Sequence, residues 1–334
     1  MTQANEAGRR PTVIDVARVA GVSRQTVTRA MNDMAGISPA TRENVLRVAK
    51  ELHYRPSRFG RGLVVGHRPT LGLVVEGLTN PYFPELAEGV VDAATALGWN
   101  VLVSDGTHDA GDYPRFLRDL AGQVDALIGY LRIPASDFDD VFGDLPVVVV
   151  QGRPEPGQRG LVEIDFAPGF DAAIDHLLGT GRQRIVMVDA AQPDRPSSRV
   201  PAYESAMRRH GLEPLVVYSG RSVEGAPSAV AEALVRAPDL DALISFNDLH
   251  AFAVMKAVQK AGRAIPSECA VLGIDGLAMG VVSTPELSSL DLDVTAVGRI
   301  AVELATGMQT GALPSTGPAV HRVMSHTLLL RESA

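Results

Sequence analysis

Arg24, Gln25, Thr28 and Arg29 fall on one face of a short amphipathic segment. Arg and Gln are the side chains that make paired hydrogen bonds to guanine and adenine edges in a DNA major groove, so this face could read adjacent base pairs. A solvated polar face on a helical hairpin is the plain alternative, and the local charge weighs against it. Residues 1–68 hold twelve Lys or Arg and five Asp or Glu, a balance of +7, while residues 69–334 balance at −15. Phosphate neutralisation depends on local positive charge, and the whole-chain value of −8 hides the split.

Such a face needs a helix held at a fixed angle by neighbours. TVIDVARVA at 12–20 predicts a first helix, capped by Thr12, with Val13, Val16, Ala17 and Ala20 inward. Gly21 breaks it, and Ser23 caps a second helix whose Val27, Ala30 and Met31 point inward. A third starts at Ser38 with Pro39 in its first turn and buries Val45, Leu46, Ala49 and Leu52.

VIDVARVAGVSRQTVTRAMN, followed by ISPATRENVLRVAKELHYRPSR at 37–58, resembles the head of the lactose-repressor (LacI/GalR) family of bacterial transcription regulators. The resemblance implies a helix-turn-helix DNA-binding domain at 1–56, with the second helix in the major groove, and a hinge at 57–69 that becomes helical on operator DNA. It implies a DNA-contacting set of Thr12, Ser23, Arg24, Gln25, Thr26, Thr28, Arg29, Asn32, Tyr54, Arg61 and Leu63. Leu63 matches the leucine that paired subunits insert into the minor groove, a wedge that unstacks a base step and bends the duplex. The chain departs from the pattern at Phe59-Gly60-Arg61-Gly62-Leu63, where each interior glycine costs roughly 1 kcal/mol of helix relative to alanine. Ser57 also stands where asparagine is common. GRGLVVG in this stretch has the wrong spacing for a dinucleotide loop, and its glycines precede a strand.

From Thr70 onward, short apolar runs alternate with amphipathic stretches. Strands are expected at 71–75, 101–104, 126–129 and 147–150, and in a second series at 184–188, 214–218, 242–246 and 270–274. Helical patterns at 84–98, 169–181 and 248–262 lie between them. Continuous apolar strands between helices predict an α/β fold with parallel sheets covered on both faces, here two lobes around a cleft. Ligands of open parallel sheets sit beyond the carboxyl ends of the strands, which singles out Asn80 to Phe83, Arg199, Asn247, Asp248 and Asp275. An arginine, carboxylates, amides and aromatic rings around a cleft suit a compact, hydroxyl-rich ligand. Structural roles compete with this: Arg199 pairing with Asp275, and Asn247 or Asp248 capping the next helix.

In the resemblance, residues 70–334 are a periplasmic-binding-protein-like effector-binding and dimerisation core. Its N-lobe is about 70–164 and 294–322, its C-lobe about 165–293 and 323–334, with crossings near 164, 293 and 322. Tyr82, Phe83, Phe166, Arg199, Phe246, Asn247 and Asp275 form the implied effector set. Gln151 and Leu292 stand where the family commonly has aspartate and glutamine, so the effector is left as sugar-like or nucleoside-like. The implied partners are double-stranded operator DNA and a second copy of the chain, paired heads meeting half-sites about 34–36 Å apart or a multiple of that.

The polar N-terminus and the lack of a long apolar run predict a cytoplasmic protein with no membrane partner. Cys269, the only cysteine, reads as a buried small hydrophobe and excludes an internal disulfide. No cofactor or metal is expected. The competing class is an enzyme acting on a small polar metabolite with an appended helical head, but HExxH, GxSxG and P-loop strings are missing.

Overall fold

The structure, a computed structural model, describes residues 13–31, 34–52, 68–107, 112–157 and 159–334. The chain divides into two compact units, Met1–Arg68 and Pro69–Ala334.

The first unit holds α1 (Val13–Ala20), α2 (Arg24–Met31) and α3 (Pro39–Glu51). Gly21, at φ +67°, makes the turn after α1, a conformation that costs other residues a steric penalty. Two matching caps open the next helices. Ser23 Oγ accepts from the Thr26 N–H and Ser38 Oγ from the Thr41 N–H, each at 3.1 Å. Val16, Ala17, Val27, Ala30, Val45, Val48 and Ala49 close a small core. Leu46, expected inside, is exposed, and Val48 takes its place. At 100° per residue the buried stripe of α3 runs through 45, 48 and 49, so a neighbour of Val45 turns out of it. Asn44 Nδ2 donates to the Ala20 carbonyl at 3.2 Å and ties α3 to the end of α1.

The second unit holds two six-stranded sheets. The first contains β1 (Thr70–Val75), β2 (Asn100–Asp105), β3 (Ala126–Gly129), β4 (Val147–Val150), β5 (Gly160–Asp165) and β11 (His321–Ser325), ordered β11-β5-β4-β3-β1-β2 and parallel throughout. It is flanked by α4 (Tyr82–Ala96), α5 (Tyr113–Ala121), α6 (Phe138–Phe142) and α11 (Val294–Gln309). The second contains β6 (Ile185–Asp189), β7 (Leu215–Tyr218), β8 (Ala242–Ser245), β9 (Ala270–Asp275), β10 (Ser288–Asp291) and β12 (Thr327–Leu329), ordered β12-β10-β9-β8-β6-β7. Only β12 runs antiparallel to its neighbour. Its helices are α7 (Ala167–Gly179), α8 (Arg199–Arg209), α9 (Ala226–Arg236) and α10 (Asp248–Lys260).

The chain passes between sheets after β5, after β10 and after β11. Ser325 still pairs with Asp165 in the first sheet, so the third passage comes after residue 325 and not near 322. In the N-lobe, α4 and α11 touch backbone to backbone: a Cβ on Gly89 would strike the Thr295 carbonyl oxygen. Cys269 is fully buried, and burial pushes its thiol up to about 12. Among the described residues no helix is long and apolar enough to cross a membrane.

Candidate functional site

The residues predicted in the core gather where strands of both sheets end. Arg199, the first residue of α8, is buried with its guanidinium carbon 4.2 Å from the Phe246 ring centroid and 4.9 Å from that of Phe166. Its Nη2 lies 3.8 Å from Asp275 Oδ1, and its Nε has no hydrogen-bond partner among the described residues. Asp275 closes β9 at φ +121°, a strained conformation for a residue with a side chain. Gly276 continues at φ +79°, in a space where any Cβ would strike Asp291. Burial pushes the Asp275 carboxyl well above the usual range, and Arg199 draws it back down.

Asn247 caps α10, its Oδ1 accepting from the His250 N–H at 2.9 Å and meeting the His250 ring at 3.0 Å. The structural role and the site role therefore coexist, because the side-chain amide NH2 remains for a ligand. Phe246 meets His250 edge to face, and burial lowers the pKa of that imidazole.

From the N-lobe, Tyr82 and Phe83 open α4 and pack edge to face with Tyr130, the residue after β3. The Tyr82 and Tyr130 hydroxyls hydrogen-bond each other. Burial raises both phenols, and Arg199 and Asp275 are close enough to act on each electrostatically. A hydroxyl pair from one lobe thus faces a cation and a carboxylate from the other. The same helix reaches across the cleft, Glu85 Oε1 accepting from the Ala278 N–H at 3.3 Å.

Sequence reasoning missed Tyr130, His250 and His326, and it offered Asp248 as a site residue or helix cap, whereas Asn247 is the cap. Asp248 is fully buried, accepts from Leu277 N–H at 2.7 Å and Ser289 Oγ at 2.5 Å, and so braces the turn after Asp275. Its position after Asn247 was the one signal available. Of the two departures from the family pattern, Gln151 takes a turn at φ +59° after β4, and Leu292 is buried between β10 and α11.

In the head, Arg24 and Gln25 are exposed on the first turn of α2. Thr28 Oγ1 donates back to the Arg24 carbonyl at 3.0 Å, and the Ser23 and Thr26 hydroxyls bond each other at 2.9 Å. Arg29 is half-buried, its Nη1 3.2 Å from where a Cβ on Gly36 would stand. Thr12, Asn32, Tyr54, Arg61 and Leu63 lie outside the described residues, as does most of the 57–69 hinge.

Residues 12–57 match the model of bacterial regulatory proteins of the lacI family, and residues 174–334 match a periplasmic binding protein-like domain. The chain is 32% identical to the HTH-type transcriptional regulator CelR of Thermobifida fusca over 98% of its length and 99% of the relative's. The chain belongs to the LacI family. Its fold matches a LacI family regulator from Arthrobacter sp. FB24 in complex with lactose, at 36% identity and TM-score 0.75, covering 80% of this chain and 99% of that one. It also matches a CelR–cellobiose complex, at 32% identity and TM-score 0.69, covering 97% of this chain and all of that one. This LacI-family protein is a DNA-binding transcriptional regulator with a controlling small-molecule site and not an enzyme.

Proposed function

We propose that the chain is a cytoplasmic, dimeric repressor whose hold on operator DNA changes when a neutral disaccharide binds between the lobes. The observation that carries this is Arg199, a buried cation between the Phe166 and Phe246 rings and 3.8 Å from Asp275. Sugar hydroxyls accept from a guanidinium and donate to a carboxylate, while aromatic rings cover the C–H faces of a pyranose. An arginine facing an aspartate puts donors and acceptors side by side, which suits an uncharged, hydroxyl-rich ligand. Tyr82, Phe83 and Asn247 complete the set, and the lactose and cellobiose complexes of the two similar regulators support two sugar rings as the occupant.

On the DNA side, Arg24 and Gln25 read base edges from the first turn of α2, and Arg29 works from its last turn. The test is selection of a duplex from a randomised pool by the full chain, then operator titrations with and without cellobiose, lactose and ribose. A selected site whose affinity shifts with a disaccharide supports the reading. No duplex preference, or a preference that none of the sugars alters, refutes it.

A further inference from the structure

Arg199 is one member of a longer run of contacts. Phe166, which lies against it, stacks on His326 with ring centroids 4.9 Å apart and planes at 24°. His326, Phe166, Arg199 and Phe246 therefore form an unbroken column. Its two outer members at the crossing end hold particular places in the chain. Phe166 is the single residue between β5 and α7, on the first passage between lobes, and His326 is the single residue between β11 and β12, on the third. The fold also makes room for the imidazole: a Cβ on Gly169 of α7 would lie 2.7 Å from the His326 Cβ.

We propose that His326 is a positioning residue of the effector site, whose ring holds Phe166 against Arg199, aims the guanidinium at Asp275, and links the occupancy of that site to two of the three inter-lobe passages. The inference rests on the sugar reading of the same site. Two features separate it from ordinary core packing. The His326 Nδ1 is buried with no hydrogen-bond partner among the described residues, a cost that an apolar side chain of similar shape would avoid. The ring is also kept neutral: burial, and then Arg199, lower its pKa to about 4, so it stacks near the guanidinium without a second positive charge. A flat neutral ring is the property the column uses.

The experiment compares full-length wild type, His326→Phe and His326→Ala. Cellobiose and lactose affinities are measured by calorimetry, and affinity for a selected operator is measured with and without saturating sugar. His326→Phe keeps the ring and is expected to stay within about threefold of wild type in sugar affinity, while His326→Ala weakens sugar by about tenfold or more, the scale of one desolvated cation–ring contact. Sugar-free operator affinity stays at the wild-type level in both, and the sugar-induced change in operator affinity shrinks in His326→Ala alone. Normal sugar affinity in His326→Ala overturns the proposal, as does equal impairment of both variants. Operator affinity falling in parallel with sugar affinity overturns it too, since that is general destabilisation. If wild type binds neither sugar, the disaccharide reading fails by itself, and sugar-free crystal structures of the three proteins decide the positioning role. Arg199 displaced in His326→Ala and retained in His326→Phe supports it, and Arg199 unmoved in His326→Ala ends it.

Discussion

Arg199 and Asp275 face each other at 3.8 Å, beyond direct hydrogen-bond distance, with both side chains almost wholly buried. Two charges removed from water at that separation do not recover their desolvation cost from each other, so the pair is a poor device for stability alone. Asp275 adds a strained backbone conformation. On the proposed reading a ligand hydroxyl bridges the two groups from beside the pair, accepting from one and donating to the other.

Replacing Asp275 by Asn removes the charge and keeps the shape. Sugar affinity is expected to fall about 10- to 100-fold, the value of a hydrogen bond to a charged group. Operator affinity without sugar should stay at the wild-type level, because the head is a separate compact unit. Calorimetry and an operator titration measure the two, and a variant that binds sugar normally removes Asp275 from the site.

Arg24→Ala should cost about 1–3 kcal/mol of operator affinity and relax preference at one base position. Gln25→Ala should do the same at a neighbouring position. Arg29→Ala is expected to combine a smaller readout loss with a looser 34–37 turn, since its guanidinium lies against Gly36. Selection from randomised duplexes by each variant tests this. Uniform weakening across all sequences would make Arg24 a phosphate contact instead.

Eight of the twelve described strands were legible in the sequence because each is built on a short apolar run, as VVVV at 147–150 shows, whereas β5, GLVEID, was missed because Glu163 and Asp165 interrupt its apolar pattern. β10, with the sequence SSLD, was not legible either, since its buried serine hydroxyls hydrogen-bond, Ser289 donating to Asp248 and Ser288 accepting from the Arg331 N–H, instead of packing as apolar groups. β11 and β12 were hidden for the opposite reason: they are sheet-edge strands with exposed, mixed side chains. Arg199, Asn247 and Asp275 could be picked out because they follow apolar runs at the carboxyl ends of strands. Tyr130 follows such a run too, but a lone tyrosine after ALIG carries no charge to flag it. His326 and Phe166 meet across 160 residues of chain, a pairing that only the folded crossings create.

Glu85 joins α4 of one lobe to the Ala278 N–H of the other. Burial raises its carboxyl, and the amide bond opposes that rise. Glu85→Ala removes this side-chain bond from α4 to the turn after β9 and is expected to weaken sugar by about threefold to tenfold through a less favourable closure. Glu85→Gln keeps an oxygen acceptor and should recover most of it. Equal sugar affinities in all three proteins would show that the lobes close without this bond.

Asp248 makes the stability of the core depend on pH. Burial pushes its carboxyl up to about 7, against the lowering effect of the Ser289 and Leu277 hydrogen bonds. The folded protein therefore holds this proton over a range where the unfolded chain, with an ordinary aspartate, has lost it. The contribution is full below the unfolded value and is lost as pH rises toward 7, at about 1.4 kcal/mol per pH unit. His250 and His326 act in the opposite sense, because burial favours their neutral forms and their contribution is lost as pH falls. A comparison with Asp248→Asn isolates the carboxyl: the amide oxygen can accept from Leu277 N–H and its NH2 can donate to Ser289 Oγ. Between pH 5 and pH 8, wild type should lose about 2–3 kcal/mol relative to the variant in urea unfolding of the core. Parallel stability curves for the two proteins across that range would mean that Asp248 is ionised in the folded core at pH 5, and the proton assigned to it would have to be withdrawn.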